Sequence, residues 1–282
     1  MKKKQWIYVV LLLLCVAAFL AYRTVDDLRK DTQAPEITFS GPIRISVLDG
    51  EEALFQGVTA RDDRDGDVTA SLVVESITMA DPAVPARVVY VAFDSAGNVA
   101  KEERELIYTD YISPRFSLTA PLVFPSGSAF DVLTRVQAKD VREGDISRRV
   151  RATAMSDSSI GNPGIHEVAF RVTNSLGDTS EVVLPVEVYS AETYGASLTL
   201  TDYLVYLTTG SGFNPRDYLY EYTLMGETHY LRGIFPRELD LKISGTVDTN
   251  TPGVYSVSYT VTGQLRDVEY AAYSKLMVIV EG

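Results

Sequence analysis

The chain repeats itself, and this limits its fold more than any other feature. Asp31-Thr32-Gln33-Ala34-Pro35-Glu36-Ile37 returns as Asp110-Tyr111-Ile112-Ser113-Pro114-Arg115-Phe116, at an offset of 79. Val58 to Val68 (Val-Thr-Ala-Arg-Asp-Asp-Arg-Asp-Gly-Asp-Val) returns as Val136 to Ile146, at an offset of 78. Asp94-Ser95-Ala96-Gly97-Asn98 returns as Asn174-Ser175-Leu176-Gly177-Asp178, at an offset of 80. Three matches in one order at a nearly constant offset mark a duplicated unit, about the size of one small domain.

Each copy reads as strands. Arg87 to Phe93 and Glu167 to Thr173 are rich in β-branched and aromatic residues and end at glycine-containing turns. Glu105 to Tyr108 and Val182 to Tyr189 supply a closing strand before the next unit. No amphipathic helix of useful length follows residue 30, so the chain is expected to be all-β. Short strands in a unit of about 80 residues suggest a seven-strand sandwich. A third, more divergent unit keeps the alternating strand Gly253 to Val261 after a Pro252-Gly253 turn, and it closes on Lys275 to Val280. The expected organisation is a short tail, an apolar anchor helix and a linker over 1–30, then Ig-like modules over 31–109, 110–189 and 190–282. Two residues follow the last strand, so no C-terminal sorting signal or second anchor is expected.

These residues resemble bacterial immunoglobulin-like surface repeats, the group related to hyalin repeats and to the Ig-like domain of a pesticidal crystal protein. The family pattern has a D-x-x-A-P-x-I opening, matched by Asp31 to Ile37, and an acidic turn, matched by Gly57 to Thr69. Its D-x-x-G-N hairpin is matched by Asp94 to Asn98, and its G-x-Y-x-V-x-Y strand by Gly253 to Tyr259. Module 1 has Val84 to Tyr90 in place of that strand, and module 3 lacks the opening and the acidic turn. The resemblance implies tandem Ig-like β-sandwiches on an exported bacterial protein. It implies little about function, since such modules serve as spacers, adhesins and enzyme accessories alike.

The N-terminus adds a membrane. Lys2, Lys3 and Lys4 precede an apolar run from Trp6 to Tyr22. As a helix this run spans roughly 25 Å, near the lower limit for a bilayer. Lysines on the N-terminal side favour a cytoplasmic N-terminus and extracytoplasmic modules, although Arg23, Arg29 and Lys30 oppose that bias. An uncleaved signal anchor is the leading reading, with residues 6–22 in the lipid. Cleavage after Ala18 and lipidation at Cys15 are the alternatives. Cys15 is the sole cysteine, so the modules have no disulfide framework.

Charge narrows the partners. The chain carries a net −12, and residues 31–109 alone hold 15 acidic against 6 basic residues. Nucleic acid, which needs clustered Lys and Arg, is not an expected partner; a protein or a glycan is.

Two clusters stand out as candidate sites. The acidic turns offer oxygen ligands for calcium: Asp62, Asp65 and Asp67 in module 1, with Asp140, Glu143 and Asp145 in module 2. The EF-hand pattern fails, because Arg61 stands where its first Asp belongs. The competing reading is a tight turn whose Asp side chains bond backbone amides. Module 3 holds 11 of the 17 tyrosines, and Tyr218, Tyr220 and Tyr222 at period two would share one face of a strand. That face is either a partner-binding platform or part of the core. His166 and His229 lie in different modules, and no nucleophile, metalloprotease or phosphate-loop motif is present. No enzyme activity and no cofactor beyond calcium is expected. Adhesion, spacing or scaffolding is the leading expectation, ahead of a subunit of an envelope assembly and of accessory or carbohydrate-binding modules.

Overall fold

The protein is described by a computed structural model over residues 2–79, 81–127, 129–154, 162–189, 196–224, 226–231, 239–265 and 268–282. The chain divides into two compact units, residues 1–110 and 111–282. The expected 189/190 boundary abuts residues 190–195, outside the described residues.

The first unit opens with helix α1 (Lys2–Arg29), which contains an apolar stretch, Trp6–Val25, long enough to cross a membrane. None of that stretch is buried inside the protein, so its apolar side chains gain nothing from a core. The helix runs past the apolar run because no Gly or Pro intervenes before Pro35.

Seven strands follow: β1 (Glu36–Thr38), β2 (Ile43–Ile45), β3 (Thr59–Asp62), β4 (Gly66–Asp67), β5 (Val73–Thr78), β6 (Ala86–Phe93) and β7 (Val99–Tyr108). They form two sheets, β1-β3-β4 and β2-β7-β6-β5, with β2 parallel to β7. Alternation puts Ala86, Val88 and Tyr90 of β6 inside, with Ile37, Ala60, Ile43 and Leu106 from the other strands. Each of the larger aliphatic side chains among them contributes roughly 1.5–3 kcal/mol of burial. Arg104, on β7, is also buried. Its guanidinium donates to the carbonyls of Gly41 (2.9 Å) and Gln56 (2.8 Å) and lies over Phe39. One cation thus ties down the loops that flank β2, which the sheet ladders leave unpaired.

The second unit holds two further sets of strands in the same order. The first is β8 (Arg115–Leu118), β9 (Val123–Pro125), β10 (Val136–Asp140), β11 (Gly144–Asp145), β12 (Arg151–Ala154), β13 (Gly164–Thr173) and β14 (Thr179–Tyr189). The other is β15 (Ala196–Leu200), β16 (Leu204–Thr208), β17 (Leu219–Leu224), β18 (Glu227–Tyr230), β19 (Leu239–Ser244), β20 (Gly253–Leu265) and β21 (Val268–Glu281). Their sheets are β11-β10-β8 with β12-β13-β14-β9, and β15-β17-β18 with β16-β21-β20-β19. In both sets the second strand again lies parallel to the last. Phe116, Leu118 and Val136 from one sheet meet Phe124, Phe170 and Leu184 from the other, which makes the set a sandwich. The protein is therefore mostly β, built of Ig-like sandwiches after one N-terminal helix.

Within this unit the two sandwiches share a core. Leu204 and Met277, from the later one, pack into the apolar cluster of the earlier one. Tyr206 accepts a hydrogen bond from the Phe116 amide (3.0 Å), and Arg115 lies over the Tyr206 ring and pairs with Glu281. Lys275, whose side chain is only 4% exposed, pairs with Glu187, which also accepts from the Tyr273 hydroxyl (3.0 Å). Burial first, and then the Glu187 charge, push the Tyr273 hydroxyl up to about 12, against an opposing bond to Ser258.

Two outcomes follow. Glu187→Ala leaves Lys275 buried and unpaired, and in urea unfolding should cost the second unit about 3 kcal/mol. Replacing both partners together (Glu187→Gln with Lys275→Met) should fall within about 1 kcal/mol of the parent. For Tyr273, unfolded tyrosine ionises near pH 10 while the folded group ionises near 12. The unfolded state therefore binds fewer protons in that window. The contribution is fully present below pH 10 and is lost as pH rises to about 12, which circular dichroism with tyrosinate absorbance should record.

Candidate functional site

The acidic turns are built by the carboxylates themselves. Asp62 ends β3, and its Oδ1 accepts the amides of Arg64 and Asp65, both at 2.8 Å, closing the turn into β4. Gly66 follows at φ +76°, a conformation few other residues take without strain. Asp65 reaches the β6–β7 hairpin and accepts from the Ser95 amide (2.6 Å) and hydroxyl (2.9 Å). Asp67 accepts from the Thr69 amide (3.0 Å), and bonds from Thr69 hold its carboxyl below the usual range. Burial opposes ionisation of Asp94, but the donors of Asn98 outweigh it, and its carboxyl too sits low.

The second sandwich repeats this corner. Asp140 Oδ1 accepts the amides of Arg142 (2.8 Å) and Glu143 (2.9 Å). Glu143 accepts from the Ser175 amide and pairs with Arg149, while Asp145 accepts from the Ser147 amide. Asp65, Asp67, Glu143 and Asp145 thus all hold backbone N–H groups, and none of the four joins a group of converging carboxylates among the described residues.

Behind the turns the two copies differ. In the second sandwich Asp140 Oδ2 accepts from the Asn174 side-chain amide (2.9 Å), which also donates to the Tyr111 hydroxyl (2.7 Å). Tyr111 in turn donates to Asp178 (2.7 Å). Burial, then Asp178, push the Tyr111 hydroxyl far above its ordinary range. In the first sandwich Asp94 stands in the place of Asn174 and Thr32 in that of Tyr111. Asp62 is 4% exposed, and its Oδ2 is buried without a hydrogen-bond partner among the described residues. One oxygen each from Asp31, Asp62 and Asp63 lie within 4.8 Å of one another. Asp31 and Asp63 were not among the ligands expected from the sequence. The signal available for Asp63 was its replacement by Val141 in the second copy.

The tyrosines do not share a face. Tyr218 closes a short 3-10 turn before β17 and packs on the core of the third sandwich. Tyr222 is 1% exposed inside that core, whereas Tyr220 is 38% exposed. The reason is a bulge: Glu221 pairs with Thr199 and Leu219 with Leu200, which leaves Tyr220 unmatched. The extra residue resets the alternation, so Leu219 and Tyr222 both point inward. Tyr220 meets Tyr230 of β18 edge to face at 5.8 Å, and Tyr230 is exposed. His166 is buried against the Asn162 carbonyl and His229 lies on β18, each in its own sandwich.

No protein-family model matches the chain. It aligns with pesticidal crystal protein Cry22Aa of Bacillus thuringiensis at 25% identity, over 74% of this chain and 28% of that protein. The chain thus spans under a third of that relative's length. Among solved structures, Drosophila N-cadherin EC1-4 is 12% identical and covers 89% of this chain and 67% of its own, at a TM-score of 0.21. The M60 catalytic domain with two CBM51 domains from Clostridium perfringens ZmpB is 11% identical, covering 83% of this chain and 37% of its own, at a TM-score of 0.23. Likeness at this level carries no inference about activity. The fold rests on the sheet order described above.

The buried network of the second sandwich has a measurable weight. Tyr111→Phe removes one donor from Asp178 and one acceptor from Asn174, and should cost the second unit about 1–2 kcal/mol in urea unfolding.

Proposed function

We propose that the chain is a non-catalytic, membrane-anchored protein of a bacterial surface that presents Ig-like modules for adhesion, spacing or scaffolding. The observation that carries this reading is the unburied apolar stretch Trp6–Val25 followed directly by repeated sandwiches. An apolar helix that no core covers is suited to lipid, and Ig-like repeats occur as spacers, adhesins and enzyme accessories. Lys2, Lys3 and Lys4 before the helix set the N-terminus on the cytoplasmic side under the positive-inside rule. The modules then lie outside. On this reading the chain is of the bacterial Ig-like surface-repeat kind, and residues 6–22 are its contact with lipid.

A partner surface is best sought at Tyr220 and Tyr230, an exposed aromatic pair on the sheet that ends at β18. Paired tyrosine rings suit a sugar face or a protein hot spot. A subunit of an envelope assembly would dock a protein there, and an adhesin or accessory module a glycan.

Alkaline phosphatase fused after Gly282 should be active in intact cells, and the fusion should stay in the membrane pellet after carbonate washing. An inactive fusion, or one released by carbonate, would overturn the anchored reading.

A further inference from the structure

We infer that Asp31, Asp62 and Asp63 form a calcium site in the first sandwich, and that the second sandwich fills the equivalent place with neutral hydrogen bonds. One oxygen from each of the three residues lies within 4.8 Å of the other two, close enough for a single ion to touch all three. Acidic clusters alone are common, and the case here rests on Asp62 Oδ2. Its sister atom is spent on the amides of Arg64 and Asp65. Oδ2 itself is buried and unpartnered among the described residues. A carboxylate oxygen removed from water requires a donor or a cation.

In the second copy the equivalent oxygen has a donor. Its equivalent, Asp140 Oδ2, points at the hairpin residue Asn174 and, through it, at Tyr111 of the opening segment. In the first copy the hairpin residue is Asp94, which cannot donate and whose own oxygens are held by Asn98. The opening segment supplies Asp31, and the residue after Asp62 is Asp63 where the second copy has Val141. Where the second copy has the uncharged residues Val141 and Asn174, the first thus has the carboxylates Asp63 and Asp94.

The charge balance agrees. Three carboxylates converge, and Arg64 lies 3.6 Å from Asp31 Oδ2, so these four side chains sum to a formal −2. Asp65 and Asp67 stand nearby but hold Ser95 and Thr69. A hard divalent ion takes oxygen ligands of this kind, with water completing its shell. Calcium tolerates the irregular geometry of a turn, whereas magnesium demands a near-ideal octahedron. The inference does not rest on anchoring or adhesion: an inactive phosphatase fusion would leave it standing, and loss of ion binding would leave the anchor standing.

Calorimetry of the full chain in detergent, titrated with calcium chloride, tests it. One ion per chain should bind with a Kd of about 10⁻⁴–10⁻³ M. At tenfold excess over Kd, melting of the first unit should rise by about 5 °C relative to chelator. Asp63→Asn, at an exposed position, should weaken binding about tenfold or more without changing the melt in chelator. Asp62→Asn keeps an oxygen for the two turn amides and should lose the ion. Asp140→Asn should leave the isotherm unchanged. Asp94→Asn installs the donor of the second copy, and should weaken calcium while raising the melt in chelator. Absence of binding up to about 10 mM calcium, well beyond the range of extracellular modules, would overturn the inference. So would an unchanged isotherm in Asp63→Asn combined with Asp31→Asn, a pair that decides the matter even if Asp62→Asn does not fold.

Discussion

A buried aspartate at the end of the third strand holds each of the first two sandwiches at its corner. Asp62 and Asp140 each give one oxygen to two backbone amides, and those bonds close the turn that returns the chain as β4 or β11. The next acidic residue, Asp65 or Glu143, then reaches the opposite hairpin through Ser95 or Ser175. One sheet is thereby stitched to a loop of the other by charge-assisted bonds, where many exported sandwiches use a disulfide. Cys15, the chain's single cysteine, lies in the helix, so this stitching and the apolar core carry the load.

The same chemistry explains what the sequence could and could not tell. The sandwich repeat was legible, because period-two strands and glycine turns at an 80-residue spacing leave few other folds. The acidic turn was legible as a turn or as a ligand set, since both need carboxylates in the same place. Choosing between them requires knowing which oxygens already have amides, and that depends on backbone geometry. The tyrosine row failed for a local reason. A one-residue bulge at Tyr220 carries no sequence mark of its own, yet it reverses every side chain beyond it.

The joint within the second unit was illegible for another reason. Glu187, Leu204 and the pair Lys275 and Met277 come from three separate strands, and each could as well have faced its own sandwich or water. The pairing becomes visible only when both sandwiches are folded. Buried Lys275 then makes the joint specific: a misplaced register would strand an ammonium away from water.

In all three sandwiches the second strand runs parallel to the last, and this geometry bears on how they would carry force. Tension between the two ends of such a sandwich slides those strands past each other, so their hydrogen bonds are loaded together and not opened one by one. β2 meets β7 and β9 meets β14 over three residue pairs each, whereas β16 meets β21 over five. At equal load on this clasp alone, the five pairs of the third sandwich would hold longer than the three pairs of either of the others.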